Sequence, residues 1–261
     1  MNKRSMRILG FSQIRDMLVR LAPSRLSKEA ARALNPDTDE DTVVKSLTDT
    51  EEAVVCLERE GQIPLGGITD IRPFLEKAKR EVTLSADECI AVWENAQRYG
   101  QIQDFFAPKE AEYPQLSQRA ETLGDFSLLV QRVGAVFDEN HQVRDNASVE
   151  LARLRTRIAE LERRTKRYIQ QILADKSYQK YFQDTLVTVR NNRSVIPVKQ
   201  EYRHAFPGIV HDMSASGATL YVEPLAVVDA NNDLQTAKLA EEKEIERIYR
   251  RLTALIAGQY E

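Results

Sequence analysis

The chain has 261 residues, 42% of them hydrophobic and 30% charged, with a formal net charge of -3 at pH 7. This is the balance of a soluble globular chain: no apolar run reaches the roughly 20 residues that cross a bilayer, and MNKRSMRILGF lacks a signal-peptide core. A cytoplasmic location without a membrane partner is expected, and because the slight acidity does not announce a polyanion binder, the distribution of charge matters more than its sum.

From the start of the chain, Phe11, Ile14, Leu18 and Leu21 recur at helical spacing. SRLSKEAARAL continues helical until Asn35-Pro36, where the residue before proline is driven out of the α region. TDEDTVVKSLTDTEEAVVCLERE predicts a helix with Val44, Leu47, Val54 and Leu57 on one side and Gly61 as its stop. Ser85 with Glu88 three residues later forms a capping box, opening a helix that carries Ile90, Trp93, Ala96 and Ile102. Cys56 and Cys89 lie in amphipathic patterns without CxxC spacing, so buried apolar thiols are expected. Residues 1–124 thus read as a helical core domain.

Residues 125–184 read as a connector and a first long helix. AVFDENHQVRD predicts a short hairpin or a sharp loop. Leu151, Leu154, Ile158, Leu161, Thr165, Tyr168 and Ile172 then alternate three and four apart on one helix from about Ala147 to Ala174, roughly 40 Å long. Residues 185–224 change period: TLVTVR, RSVIPVK, GIVHD and ATLYVE are strand-like, with Asn191-Asn192 placed as a hairpin turn. Helical spacing returns over 225–261 with Leu234, Ile245, Ile248, Leu252 and Leu255. The expected fold is mainly α with a small inserted antiparallel β region, a helical core bearing two long antiparallel helices with the sheet at their tip.

Candidate chemistry is thin. IVHDMSASGATLYVEP imitates a nucleophile elbow, but Ser216 is flanked by Ser214 and Ala218 instead of glycines and is followed by a strand. Ser214 to Gly217 read as a turn, Glu223-Pro224 as the exit toward the last helix, and His211 and Asp212 as a solvated or hydrogen-bonded strand end facing opposite ways. No GxxxxGK[ST] string occurs, and Gly66-Gly67 read as a loop. Asp37, Asp39 and Asp41 have calcium-loop spacing, but Thr42 replaces the required Gly and Thr48 the closing Glu, so they read as helix-start acidity. No catalytic residue, metal site or cofactor is assigned to the chain.

Basic charge is more informative. The long helix carries Arg153, Arg155, Arg157, Arg163, Arg164, Lys166 and Arg167 against Glu150, Glu160 and Glu162. It reads either as a solvated face paired with KLAEEKEIE or as a phosphate-contacting face. The strand region adds Arg190, Arg193, Lys199, Arg203, His204 and His211, with Tyr202 and Phe206 nearby. These six are the expected nucleic-acid contacts, with Arg153, Arg157, Arg164 and Arg167 as a secondary face. The alternative is a protein scaffold or dimerisation arm that touches nucleic acid incidentally.

VIPVKQEYRHAFPGIVHDMSASGATLYVEPLAVVDANNDL, with DTEEAVVCLEREGQIPLGGITDIRPFLEKAKR and VRDNASVELARLR, resembles the MutS-two family, the bacterial paralogue of mismatch-repair MutS. The resemblance implies a helical core, a lever of long helices and a clamp at its end, followed by a dimerising ABC-type ATPase and usually a C-terminal Smr nuclease domain. It implies branched or double-stranded DNA, or ribosomal RNA and the ribosome, as partners, with roles in suppressing homologous recombination and rescuing collided ribosomes. Homodimerisation, ATP and magnesium use, and endonuclease activity are implied for the parent protein. Because the chain stops at Glu261, before any ATPase would begin, an N-terminal fragment without enzymatic activity of its own is expected.

Overall fold

A computed structural model describes residue 6 and residues 8–259. Among these the chain is mainly helical, with nine α-helices and one small four-stranded antiparallel sheet. Helices α1 (Phe11–Leu21), α2 (Arg25–Ala33), α3 (Glu40–Glu60), α4 (Arg72–Lys79), α5 (Ala86–Phe106), α6 (Pro114–Glu121) and α7 (Ser127–Gly134) precede the long α8 (Val149–Ala174). Strands β1 (Thr188–Arg190), β2 (Arg193–Lys199), β3 (Gly208–Met213) and β4 (Thr219–Pro224) follow, and α9 (Val228–Ala257) closes the order. The chain divides into two compact units, one of residues up to Arg144 together with those from Tyr249 on, the other Asp145–Ile248.

The first unit is built around α5. Ser85 and Glu88 form the reciprocal capping box at its start, and Lys77 Nζ lies 2.6 Å from the same Glu88 carboxylate. Cys89, Ile90, Val92, Ala96, Ile102 and Phe106 are buried along it, while Trp93 donates its indole N–H to the Val130 carbonyl at 3.0 Å. Asn95 is fully buried, and its amide answers both the N–H (3.0 Å) and the carbonyl (2.8 Å) of Thr69, leaving no polar group of that loop contact unpaired.

Helix α3 starts and stops as its sequence requires: the Asp39 side chain accepts from Thr42 N–H, and Gly61 takes a positive φ of 74°. Its packing face differs from expectation. Val44, Leu47, Val54 and Leu57 are exposed, and Cys56 is the buried member, packed with Ile102, Phe106 and Tyr113. A polar contact accompanies this orientation: the Glu52 carboxylate accepts the N–H groups of Gln115 (3.1 Å) and Leu116 (2.7 Å) at the start of α6, where orphan donors and the helix dipole favour an anion. Ile14, Leu18 and Leu21 of α1 are likewise exposed. The 135–145 segment is a tight loop closed by a single bridge between Phe137 and Val143, with the Asp138 carboxylate gathering the N–H groups of Asn140 and Gln142.

In the second unit α8 buries Leu151, Ile158, Leu161 and Thr165 of the expected stripe, while Leu154, Tyr168 and Ile172 are half-buried and Ile169 and Leu173 are buried towards its end instead. Ile158 and Leu161 pack with Leu234 and Ala237 of α9. Contacts run in opposite order along the two helices: Ser148 with Glu244, Arg155 with Glu241, Glu162 with Lys238. The sheet order is β1-β2-β4-β3, every pair antiparallel. Asn191 and Asn192 both have positive φ, 49° and 60°, and form the two-residue turn between paired Arg190 and Arg193. One sheet face packs Ile196, Val198, Leu220 and Val222 against Ile169 and Leu173, with buried Phe182 and Phe206 completing the cluster. Gly208 is glycine for a steric reason, since a Cβ there would run into the Val222 side chain and the Glu223 carbonyl. Before α9, residues Leu225–Val227 form a 3-10 turn, which helical spacing alone does not distinguish from the helix.

Candidate nucleic-acid interface

The sheet carries a buried polar network that decides which cations are available. Glu223 of β4 has 0% exposure. Its carboxylate accepts from Arg193 Nη1 (2.7 Å) and Asn231 Nδ2 (2.7 Å), and meets His211 Nε2 at 2.6 Å. Asn231 also bonds the Ser194 backbone through Nδ2 to the carbonyl (3.2 Å) and Oδ1 from the N–H (3.4 Å), and Arg193 Nη2 donates to Asn232 Oδ1 at 2.7 Å. One carboxylate therefore ties β2, β3 and β4 to the first turn of α9. Burial pushes the Glu223 carboxyl up, but the hydrogen bonds from Asn231, Arg193 and His211 outweigh it and hold the group below the usual carboxylate value.

Two sequence expectations are corrected here. Glu223 is no mere exit residue, and His211 and Asp212 do not face opposite ways. The β3–β4 register shifts between Val210 and Asp212, so strict alternation fails at that bulge. His211 meets Glu223, while Asp212 lies 3.1 Å from Arg190 Nε, whose guanidinium sits 4.2 Å over the Tyr221 ring. Tyr221 and Glu223 share one face of β4, so both side chains converge on it. Asn191 Nδ2 adds a bond to the His211 carbonyl at 3.1 Å, folding the hairpin turn onto this face.

The ten expected contact residues therefore fall into two groups. Arg190, Arg193 and His211 have carboxylate partners within the sheet. Lys199 is half-buried, its Nζ 3.4 Å from the Lys180 carbonyl, whereas Arg203 and His204 are exposed and have no ion pair among the described residues. On α8, Arg153 lies 3.5 Å from Glu150. Arg157 and Arg167 are exposed without an ion pair among the described residues, and Arg164 donates to the Tyr168 hydroxyl at 3.1 Å. Pairing with KLAEEKEIE is real but local: Arg155 Nε meets Glu241 at 2.8 Å and Lys238 meets Glu162 at 2.8 Å.

Residues 157–206 hold eleven Lys and Arg against five Asp and Glu, so the net acidity of the chain lies entirely outside this stretch. The same stretch contains Lys176, Tyr178, Lys180 and Tyr181, which lie in the connector and outside the ten expected contacts. The signal was present in KSYQKYF, where cations and aromatics alternate. Among the described residues no group of three or more His, Cys, Asp or Glu side chains comes together to hold a metal ion, and no helix is long and apolar enough to cross a membrane.

No family model matches the chain. Individual proteins do. It is 38% identical over 264 residues to the endonuclease MutS2 of Geobacillus sp. (strain WCH70), an alignment covering 100% of this chain and 34% of that protein. The endonuclease MutS2 of Geobacillus thermodenitrificans (strain NG80-2) is 39% identical over 260 residues, covering 98% of this chain and 33% of the relative. That of Acetivibrio thermocellus is 37% identical over 261 residues, covering 99% and 33%. The chain spans about a third of the length of the curated relatives it matches. Over its whole length this chain is homologous to endonuclease MutS2, the family that its sequence resembles.

Proposed function

We propose that this chain is a nucleic-acid-gripping segment of a MutS2-type protein, in which α8 and α9 serve as a lever and the β region as its clamp. The observation that carries the proposal is the segregation of charge: an acidic chain keeps a basic stretch whose Arg157, Arg167, Arg203 and His204 are exposed and without ion pairs among the described residues. Cations on a surface with no base-reading element neutralise phosphates and bind without sequence preference. The relatives' name, endonuclease, supports nucleic acid as the ligand class. We assign nuclease and ATP-dependent steps to parts of MutS2 proteins outside the third that this chain matches.

Replacing Arg167, Lys199 and Arg203 with Glu tests the assignment by fluorescence anisotropy on duplex DNA and on structured RNA over a salt series. Binding is expected to weaken on both, and the slope of log K against log salt to flatten by about 0.9 for each lost contact on B-DNA. An unchanged slope would remove this surface from the mechanism.

A second reading, a protein-contacting scaffold, is favoured by one observation: the exposed stripe of Val44, Leu47, Val54 and Leu57 on α3. Light scattering over a concentration series would show mass rising with concentration if a second copy covers that stripe. A constant monomer mass would rule self-association out.

A further inference from the structure

We propose that the β-region end of the second unit holds an aromatic platform that stacks unpaired nucleobases, so that its preferred ligand is nucleic acid with a single-stranded interruption and not uniform duplex. The proposal rests on the nucleic-acid reading above and goes beyond it by naming the part of the ligand that is recognised. The observation is a continuous row of rings. Tyr202 and Tyr181 have centroids 4.9 Å apart, Tyr181 and Tyr178 6.0 Å, and Tyr178 and Phe206 5.5 Å in an edge-on arrangement. Phe206 in turn meets Phe182 edge-on at 5.5 Å, and both phenylalanines are buried in the core cluster.

The row is therefore anchored at one end and open at the other. Tyr178, Tyr181 and Tyr202 are only partly buried, and their hydroxyls make no hydrogen bond among the described residues. A buried tyrosine ordinarily finds a partner for its hydroxyl, so three without one mark rings whose outer edges face solvent. Cations surround that open end. Lys180 Nζ lies 5.2 Å from the Tyr181 centroid, Lys199 reaches the Lys180 carbonyl, and Arg203 and His204 follow Tyr202 directly on the surface.

Rings that accept a base on a π face beside cations that take the flanking phosphates are the two components of single-strand recognition, and neither requires a particular base. A paired, stacked base cannot reach such a platform, whereas one in a gap, tail or loop can. Two short 3-10 turns carry the rings, Gln179–Tyr181, followed by Phe182 bridged to Val198 of β2, and Gln200–Tyr202 directly after β2, so the site is set by the folded sheet and not by one loop.

The test compares a DNA duplex, the same duplex with a gap of about eight nucleotides, and that gap made of ribonucleotides, by anisotropy over a salt series with the intact chain. Tighter binding to the gapped probes is expected, and the DNA and RNA gaps separate the two sources of unpaired base. Tyr181→Ala and Tyr202→Ala should each lose about tenfold on gapped probes with little change on duplex and the same salt slope, while Tyr181→Phe and Tyr202→Phe retain binding. Because the alanine variants also remove packing, 5-iodouracil in the gap gives a readout on the unaltered chain, with photo-adducts expected at Tyr181 or Tyr202. Equal affinity for duplex and gap, with adducts elsewhere or absent, would overturn the platform while leaving phosphate binding intact. Absence of salt-dependent binding to every probe would overturn both.

Discussion

Glu223 is the residue on which most of the second unit's polar organisation converges. An ionised carboxylate without exposure is costly to desolvate, and it persists here because three donors compensate it. Its folded pKa lies below the unfolded value of about 4.3. The stability this adds is fully present above that pH and is lost as pH falls through the folded value. Glu223→Gln keeps the shape and removes the charge. It should lower the unfolding free energy by about 3 kcal/mol at pH 7, and the deficit should shrink at acid pH, once the native carboxylate has itself taken up a proton. Urea unfolding followed by circular dichroism at the two pH values checks this, and an equal deficit at both would show that the charge is not what stabilises. None of this was legible in the sequence, where Glu223-Pro224 reads as a strand exit. Burial of a single carboxylate depends on His211, Arg193 and Asn231 arriving from three other elements, and on a bulge that breaks strand periodicity without altering composition.

At the scale of elements, local rules were more informative. The Ser85–Glu88 box, the Gly61 stop and the Asn191-Asn192 turn each follow from short-range chemistry and occur where the sequence places them. Asn192 makes the point testable. A β-branched residue at its φ of 60° is strained, so Asn192→Val should cost about 1–2 kcal/mol and Asn192→Gly should be nearly neutral, as read by thermal unfolding. If valine were tolerated as well as glycine, the turn would not be controlling hairpin formation. The packing face of α3 was less legible. Periodicity finds apolar residues on one side, but the bonds from Glu52 of α3 to the first N–H groups of α6 and the Cys56 cluster turn a different side inward. Such a preference comes from a polar tertiary contact, which hydrophobic spacing does not encode.

Across the whole molecule, net charge conceals two stretches of opposite composition, a basic one at 157–206 and an acidic remainder. A chain with a net charge of -3 is therefore expected to be retained on heparin at low salt at pH 7 and to elute earlier after Arg167, Lys199 and Arg203 are changed to Glu. Flow-through of the unaltered chain at low salt would contradict this. The candidate surface was partly readable in advance, because basic residues can be counted along a helix, but their availability was not. Arg190 and Arg193 look like Arg203 in the sequence, and only the folded sheet separates the two that meet Asp212 and Glu223 from the one that does not. The bulge at Val210 to Asp212 has one more consequence. Strand β3 forms an edge of the sheet and exposes Ile209, Val210 and Met213, the kind of border on which chains nucleate cross-β aggregates. An irregular ladder there denies an incoming strand a continuous template, so the kink that turns His211 inward also helps keep the sheet from polymerising.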